Sequence, residues 1–178
     1  MEMLGLYNNF PLNIHRIDTF STHFSSKKLQ QRMLQVLYEI NRGNFSFEEV
    51  TYPTVPDCTI IFEVGIAEAE SFNYIDAGET KKVLSALKKA PLQTMDFFCS
   101  IRYYKRHGEK KKPLKFDYYM IRALFGKNAV EIRIFHERGP RYISPEDLVT
   151  FLVTKVNETS ARQILKQTSP SEIMEDES

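Results

Sequence analysis

Three strand-length segments follow one another between residues 94 and 137, and their connectors are too short for anything but hairpins. Parallel neighbours need a crossover of a dozen or more residues, usually a helix, whereas antiparallel neighbours are joined by a tight turn. Residues 94–105, 114–125 and 129–137 therefore predict an antiparallel meander. Gly126-Lys127-Asn128 has the length and the glycine of a tight hairpin, while residues 107–113 make a longer and highly charged connector.

Helices interrupt the strands before the meander and close the chain after it. Residues 12–24 mix polar and apolar positions and are rich in β-branched and aromatic types, which predicts an extended segment. Ser25 or Ser26 caps a helix whose stripe is Leu29, Met33, Val36, Leu37 and Ile40, with Gly43 as its stop. Residues 44–56 carry Pro53 and Pro56 and no clean period, so they read as a loop anchored by Phe45 and Phe47. Cys58, Ile60, Phe62, Val64 and Ile66 then alternate along a strand.

Asp76 and Glu79 have capping-box spacing ahead of Val83, Leu84 and Leu87, a short helix that ends near Pro91 and turns Lys81, Lys82, Lys88 and Lys89 to water. Ser144-Pro145-Glu146-Asp147 supplies an N-cap hydroxyl, proline at the first helical position and acids against the helix dipole. Leu148, Phe151, Leu152 and Val156 are the buried face of that helix, and Ile164 with Leu165 either continue it or form a separate short one. The pattern predicts an α+β fold: a mainly antiparallel sheet with a C-terminal three-stranded meander, helices packed on one face and the other face available. The expected organisation is a single domain over residues 1–168 and a disordered acidic tail over 169–178.

Charge is spread unevenly over this layout. Residues 102–141 hold twelve Lys or Arg and four Asp or Glu, a balance of +8; of the 24 basic and 23 acidic residues in the chain, the remainder keeps 12 and 19, or −7. Phe98, Tyr103, Tyr104, Phe116, Tyr118, Tyr119, Phe125, Phe135 and Tyr142 lie in or beside the basic stretch. Cations neutralise phosphates and flat rings stack on bases, so this mixture predicts a surface for single-stranded DNA or RNA with little sequence specificity. The candidate binding residues are Arg102, Tyr104, Lys105, Arg106, Lys110, Lys111, Lys112, Tyr119, Arg133 and Phe135. Alternation along the strands makes Arg102 and Tyr104 natural partners of Arg133 and Phe135 on one exposed face.

Two other readings use the same residues. The acidic part of one copy can dock on the basic part of another, giving a homo-oligomer. Asp117 and Glu131-Ile132-Arg133 on neighbouring strands can hold a divalent metal for phosphodiester hydrolysis, although arginine stands where such sites carry lysine. Neither GxxxxGK[ST] nor GxGxxG occurs, and GxSxG is missing, so the chain is read as non-catalytic and without a cofactor. His15, His23, His107 and His136 lack metal-ligand spacing, and no metal is expected. Cys58 and Cys99 sit among apolar residues as buried free thiols, and no secretion signal or long apolar run is present; a soluble, cytoplasmic protein is expected.

Overall fold

The computed structural model describes residues 3–50, 58–107 and 110–168, except the side chains of Phe47, Arg106, His107 and Lys110 to Lys112. In chain order the elements are β1 (Arg16–Thr22), α1 (Ser26–Arg42), β2 (Asn44–Ser46), α2 (Phe47–Val50), β3 (Cys58–Glu68), β4 (Ser71–Tyr74), α3 (Ala77–Lys89), β5 (Thr94–His107), β6 (Lys110–Gly126), β7 (Ala129–Arg138), α4 (Pro145–Asn157) and β8 (Leu165–Gln167). The strands form one antiparallel sheet in the order β2-β3-β5-β6-β7-β1-β8, and β4 pairs with the far end of β3. The expected α+β fold and its β5-β6-β7 meander are what forms.

Local chemistry places the helix ends where the sequence puts them. Ser25 Oγ accepts from Lys28 N, Asp76 Oδ1 from Glu79 N, and Ser144 Oγ from Asp147 N, each satisfying an otherwise orphaned first-turn donor. The turn between β6 and β7 is two residues long, with Gly126 paired to Ala129 and Asn128 at φ +56, a conformation that asparagine tolerates. Glu79 does not complete a capping box: its carboxylate takes the Lys82 ammonium at 3.3 Å, and Glu68 takes the same ammonium at 2.7 Å. Lys82 is thus paired as well as partly exposed.

Every second residue of the central strands faces the helices. Ile60, Phe62, Val64 and Ile66 on β3, Met95, Phe97, Cys99 and Ile101 on β5, Ile121 on β6 and Ile134 on β7 are buried, and they meet Leu29, Leu34 and Ile40 of α1, Val83 and Leu87 of α3, and Leu148 and Phe151 of α4. Phe151 stacks on Phe62 at 5.1 Å, and Phe45 meets both rings edge-on. Complete burial of a side chain of this size stabilises by roughly 1.5–3 kcal/mol. Both cysteines are buried and free, Cys58 and Cys99 lying on this face.

Three sequence expectations are corrected here. The segment read as a loop contains β2 and α2 over residues 44–50, because Phe45 packs into the core and pairs with Ile60; residues 51–57, with both prolines, lie outside the described residues. Leu165 is strand, not helix: β8 adds to β1, and Asn157 Oδ1 accepts from the backbone of Ile164 and Leu165, ending α4 and turning the chain back. The charged connector is mostly strand as well, so β5 and β6 run on as a two-stranded arm to His107 and Lys110. The tail over 169–178 lies outside the described residues. No helix among the described residues is long and apolar enough to cross a membrane.

Candidate nucleic-acid interface

The alternation that buries Phe97, Cys99 and Ile101 sends Asp96, Phe98, Ser100, Arg102 and Tyr104 to the opposite face. Strand pairing sets Phe116 beside Arg102, Tyr118 beside Ser100, Met120 beside Phe98 and Arg122 beside Asp96 on that face. No helix among the described residues covers it. The N-terminal segment crosses one end as a strap: Gly5 N donates to Ala67 O, Asp96 N to Gly5 O and Tyr7 N to Asp96 Oδ2, and the Arg122 guanidinium lies 4.4 Å from the centre of the Phe10 ring. The strap buries Leu4 and Phe10 and encloses Asp96 completely. Beyond it, toward the β5–β6 arm, the face is open.

A row of rings runs across this face. Tyr7 meets Phe72 at 4.7 Å, Phe72 meets Phe98 at 5.6 Å, Phe98 meets Tyr118 at 5.6 Å, and Tyr118 stacks on Phe116 at 6.3 Å with 10° between planes. Tyr7, Phe72, Phe98 and Tyr118 are half-buried, and Phe116 is 44% exposed. The Arg102 guanidinium closes the row 5.7 Å from the Phe116 centroid. A hydrogen bond with the Tyr104 side chain, and then the charge of Glu63, raise the pKa of Arg102 further above its already high ordinary value. The phenol, the guanidinium and the ring thus form one half-exposed group.

The expected residues divide between the two faces. Arg102 and Tyr104 are together on the open face. Arg133 and Phe135 share that face but pair with Arg122 and Met120; six residues separate Phe116 from Arg122, or about 20 Å along the strand at ~3.3 Å per residue. The expected single trough is therefore two separate patches, with Phe135 stacked on His15 at 5.0 Å in the second. Lys105 is exposed, but it pairs with Cys58 and so lies on the helix side of the sheet. The backbone of Arg106, Lys110, Lys111 and Lys112 forms the arm, with Arg106 opposite Lys111 and Lys105 opposite Lys112; their side chains, except that of Lys105, lie outside the described residues.

Tyr119 is a correction. It is fully buried on the helix side, where its hydroxyl donates to Ile143 O, so it cannot present a ring to a ligand. Its neighbours Phe116 and Tyr118, on the opposite side of the strand, hold the positions expected of it. The register does shift between β5 and β6, but at Leu114, which leaves alternation intact from Phe116 to Arg122. Phe72 and Tyr7 escaped the sequence reading because nothing local to residues 3–12 or 71–74 shows that they meet.

Beneath the open face, Asp117 is fully buried and accepts four hydrogen bonds: Oδ1 from Arg141 N at 2.7 Å and His136 Nε2 at 2.8 Å, Oδ2 from Tyr103 Oη at 2.6 Å and Tyr142 N at 2.9 Å. A carboxylate oxygen only accepts, so His136 carries its proton on Nε2. Burial and the adjoining carboxylate push the Tyr103 phenol well above its ordinary range, and burial does the same to Tyr119. The carboxylate staples residues 139–143 to the sheet. Gly139, at φ +117, is required there, since a Cβ would collide with the Phe116 carbonyl oxygen.

This geometry breaks up the metal site expected for a hydrolase. Asp117 faces the helices with both oxygens engaged, whereas Glu131 lies opposite Leu124 on the other face and takes Arg133 Nε at 2.6 Å. Among the described residues no group of three or more His, Cys, Asp or Glu could hold a metal ion.

Three guanidiniums of the open face, those of Arg102, Arg122 and Arg133, have carboxylate partners, and the pairs differ in quality. Arg122 grips Asp96 with two bonds, Nε to Oδ1 at 2.7 Å and Nη2 to Oδ2 at 2.9 Å, while Arg102 touches Glu63 through one nitrogen at 3.2 Å with both side chains about 40% exposed. Comparison of the chain with family models, with curated proteins and with solved structures finds no match.

Proposed function

We propose that this chain is a non-catalytic module that binds single-stranded DNA or RNA, with little sequence specificity, on the open face of its sheet. The observation that carries the reading is the row Phe98, Tyr118 and Phe116 ending under Arg102, on a face that no helix among the described residues covers and beside an arm whose sequence is Lys-Lys-Lys. Rings stack on bases of any identity, while basic side chains meet the phosphates. With Arg102, Arg122 and Arg133 each holding an internal carboxylate, stacking supplies most of the affinity and the salt dependence is shallower than twelve cations would give. A cytoplasmic location goes with this reading, where two unpaired thiols stay reduced.

Phe116→Ala is the direct test, because the ring is half-exposed and its loss spares the core. Anisotropy titrations of labelled single-stranded DNA and RNA are expected to show a loss of about 1–3 kcal/mol, roughly 5- to 150-fold, with unfolding little changed. Absence of binding by the unmutated chain at low salt rejects the function. A homo-oligomer is the second reading, favoured by Ile17 and Phe116, which are 51% and 44% exposed. Sedimentation that shows a monomer at every concentration and salt rejects that one.

A further inference from the structure

Of the three guanidiniums on the open face that hold a carboxylate, Arg102 holds its partner at the longest distance, 3.2 Å against 2.7 Å for Arg122 and 2.6 Å for Arg133. Arg102 Nε is buried and, among the described residues, has no hydrogen-bond partner, while Nη2 meets Glu63 at 3.2 Å and the guanidinium also bonds the Tyr104 side chain. A guanidinium offers five donors in a planar fork that matches a carboxylate or phosphate with two parallel bonds, as Arg122 does with Asp96. Half-exposed single-contact pairs contribute about 0–1 kcal/mol, so exchanging this partner costs little.

Glu63 lies diagonally across from Arg102, since it pairs with Ser100 while Ile61 pairs with Arg102. It therefore reaches the guanidinium from the β3 side, while Phe116 and Tyr118 lie on the β6 side, so Arg102 stands between its carboxylate and the rings. From this geometry we infer that Glu63 is a built-in competitor: its carboxylate stands in for a phosphate on Arg102 and must be displaced when a single strand binds. It attenuates affinity and makes Arg102 a conditional phosphate contact. This rests on the binding function proposed above and adds the residue that limits it.

The experiment is a salt-dependent anisotropy titration of oligothymidylate and oligouridylate, each about a dozen nucleotides long to exceed one binding site, with four chains: unmutated, Glu63→Gln, Arg102→Ala and the double variant. Glutamine keeps the shape of Glu63 and removes its charge. Freeing one guanidinium for one phosphate adds about 0.7 to the logarithmic salt slope on single strands, which at ~0.1 M salt is about a five-fold gain in affinity.

The expected result is that gain and that steeper slope for Glu63→Gln, with neither present in the Arg102→Ala background. Unchanged or weaker binding by Glu63→Gln overturns the inference. So does a gain that survives removal of Arg102, which would mark a general charge effect. If neither the unmutated chain nor Glu63→Gln binds either oligonucleotide at low salt, the binding function itself is wrong. Circular dichroism of the Arg102→Ala chain separates a binding loss from an unfolded one.

Discussion

Asp117→Asn is a small change in shape with a large expected effect. The carboxylate accepts from four donors, two on each oxygen, and none of it reaches solvent. An amide has one oxygen. In either orientation its NH2 group faces a backbone N–H, that of Arg141 or of Tyr142, which cannot become an acceptor. The second donor on that side, His136 or the Tyr103 hydroxyl, can switch to accept. At least one buried backbone donor is therefore left facing another donor, and the remaining bonds lose their charge assistance.

Bonds to charged groups are worth about 1.5–3 kcal/mol and a buried unsatisfied donor costs about 1–3 kcal/mol, so a net destabilisation of about 2–4 kcal/mol is expected. For a chain of this size 1 kcal/mol moves the midpoint by about 2–4 °C, giving a fall of roughly 4–16 °C. Urea unfolding followed by circular dichroism measures the free energy, and an unchanged m-value confirms that the same surface is exposed. Asp117→Ala, which loses all four bonds, should cost more, about 3–5 kcal/mol. A variant Asp117→Asn within about 0.5 kcal/mol of the unmutated chain, the range of ordinary surface substitutions, would show that the staple is not what holds residues 139–143.

Two further outcomes follow from proton affinities. His15 accepts the His136 N–H on Nδ1, and burial, then Arg141, then His136 lower its pKa from the ordinary 6.5. The unfolded chain thus binds more protons just below that pH, so the His15 contribution is complete above 6.5 and is lost as the pH falls through the folded value. His15→Phe, which retains a ring over Phe135, is expected to flatten the decline of stability on that acid side, and an identical pH profile would refute the assignment. Burial pushes the Cys99 thiol up to about 12 and raises that of Cys58, so neither should react with a thiol reagent at pH 8 in the folded chain, while both react in urea. Rapid labelling of Cys99 without unfolding would contradict its place under the helices.

Much of this architecture is legible in the order of residues. Ser25, Asp76 and Ser144 begin helices because a side-chain oxygen ahead of an apolar stripe satisfies donors only a few residues away. The meander is legible for the same local reason, since its connectors leave the chain nowhere to go but back. Capping and turn chemistry act over three or four residues, a distance a linear reading covers.

What needed the tertiary structure is everything that depends on register and on distant partners. Tyr119 and Tyr118 are adjacent and chemically alike; the first is sealed against Ile143 and the second lies in the ring row, because a pleated strand sends neighbours to opposite faces and the core claims one side only. The strap over Asp96 joins positions 89 residues apart, and Glu63 meets Arg102 across two strands, so no local pattern announces either contact. The excess charge of residues 102–141 can be counted in the sequence. Which of those charges remain free for a ligand is settled by the carboxylates that folding brings beside them.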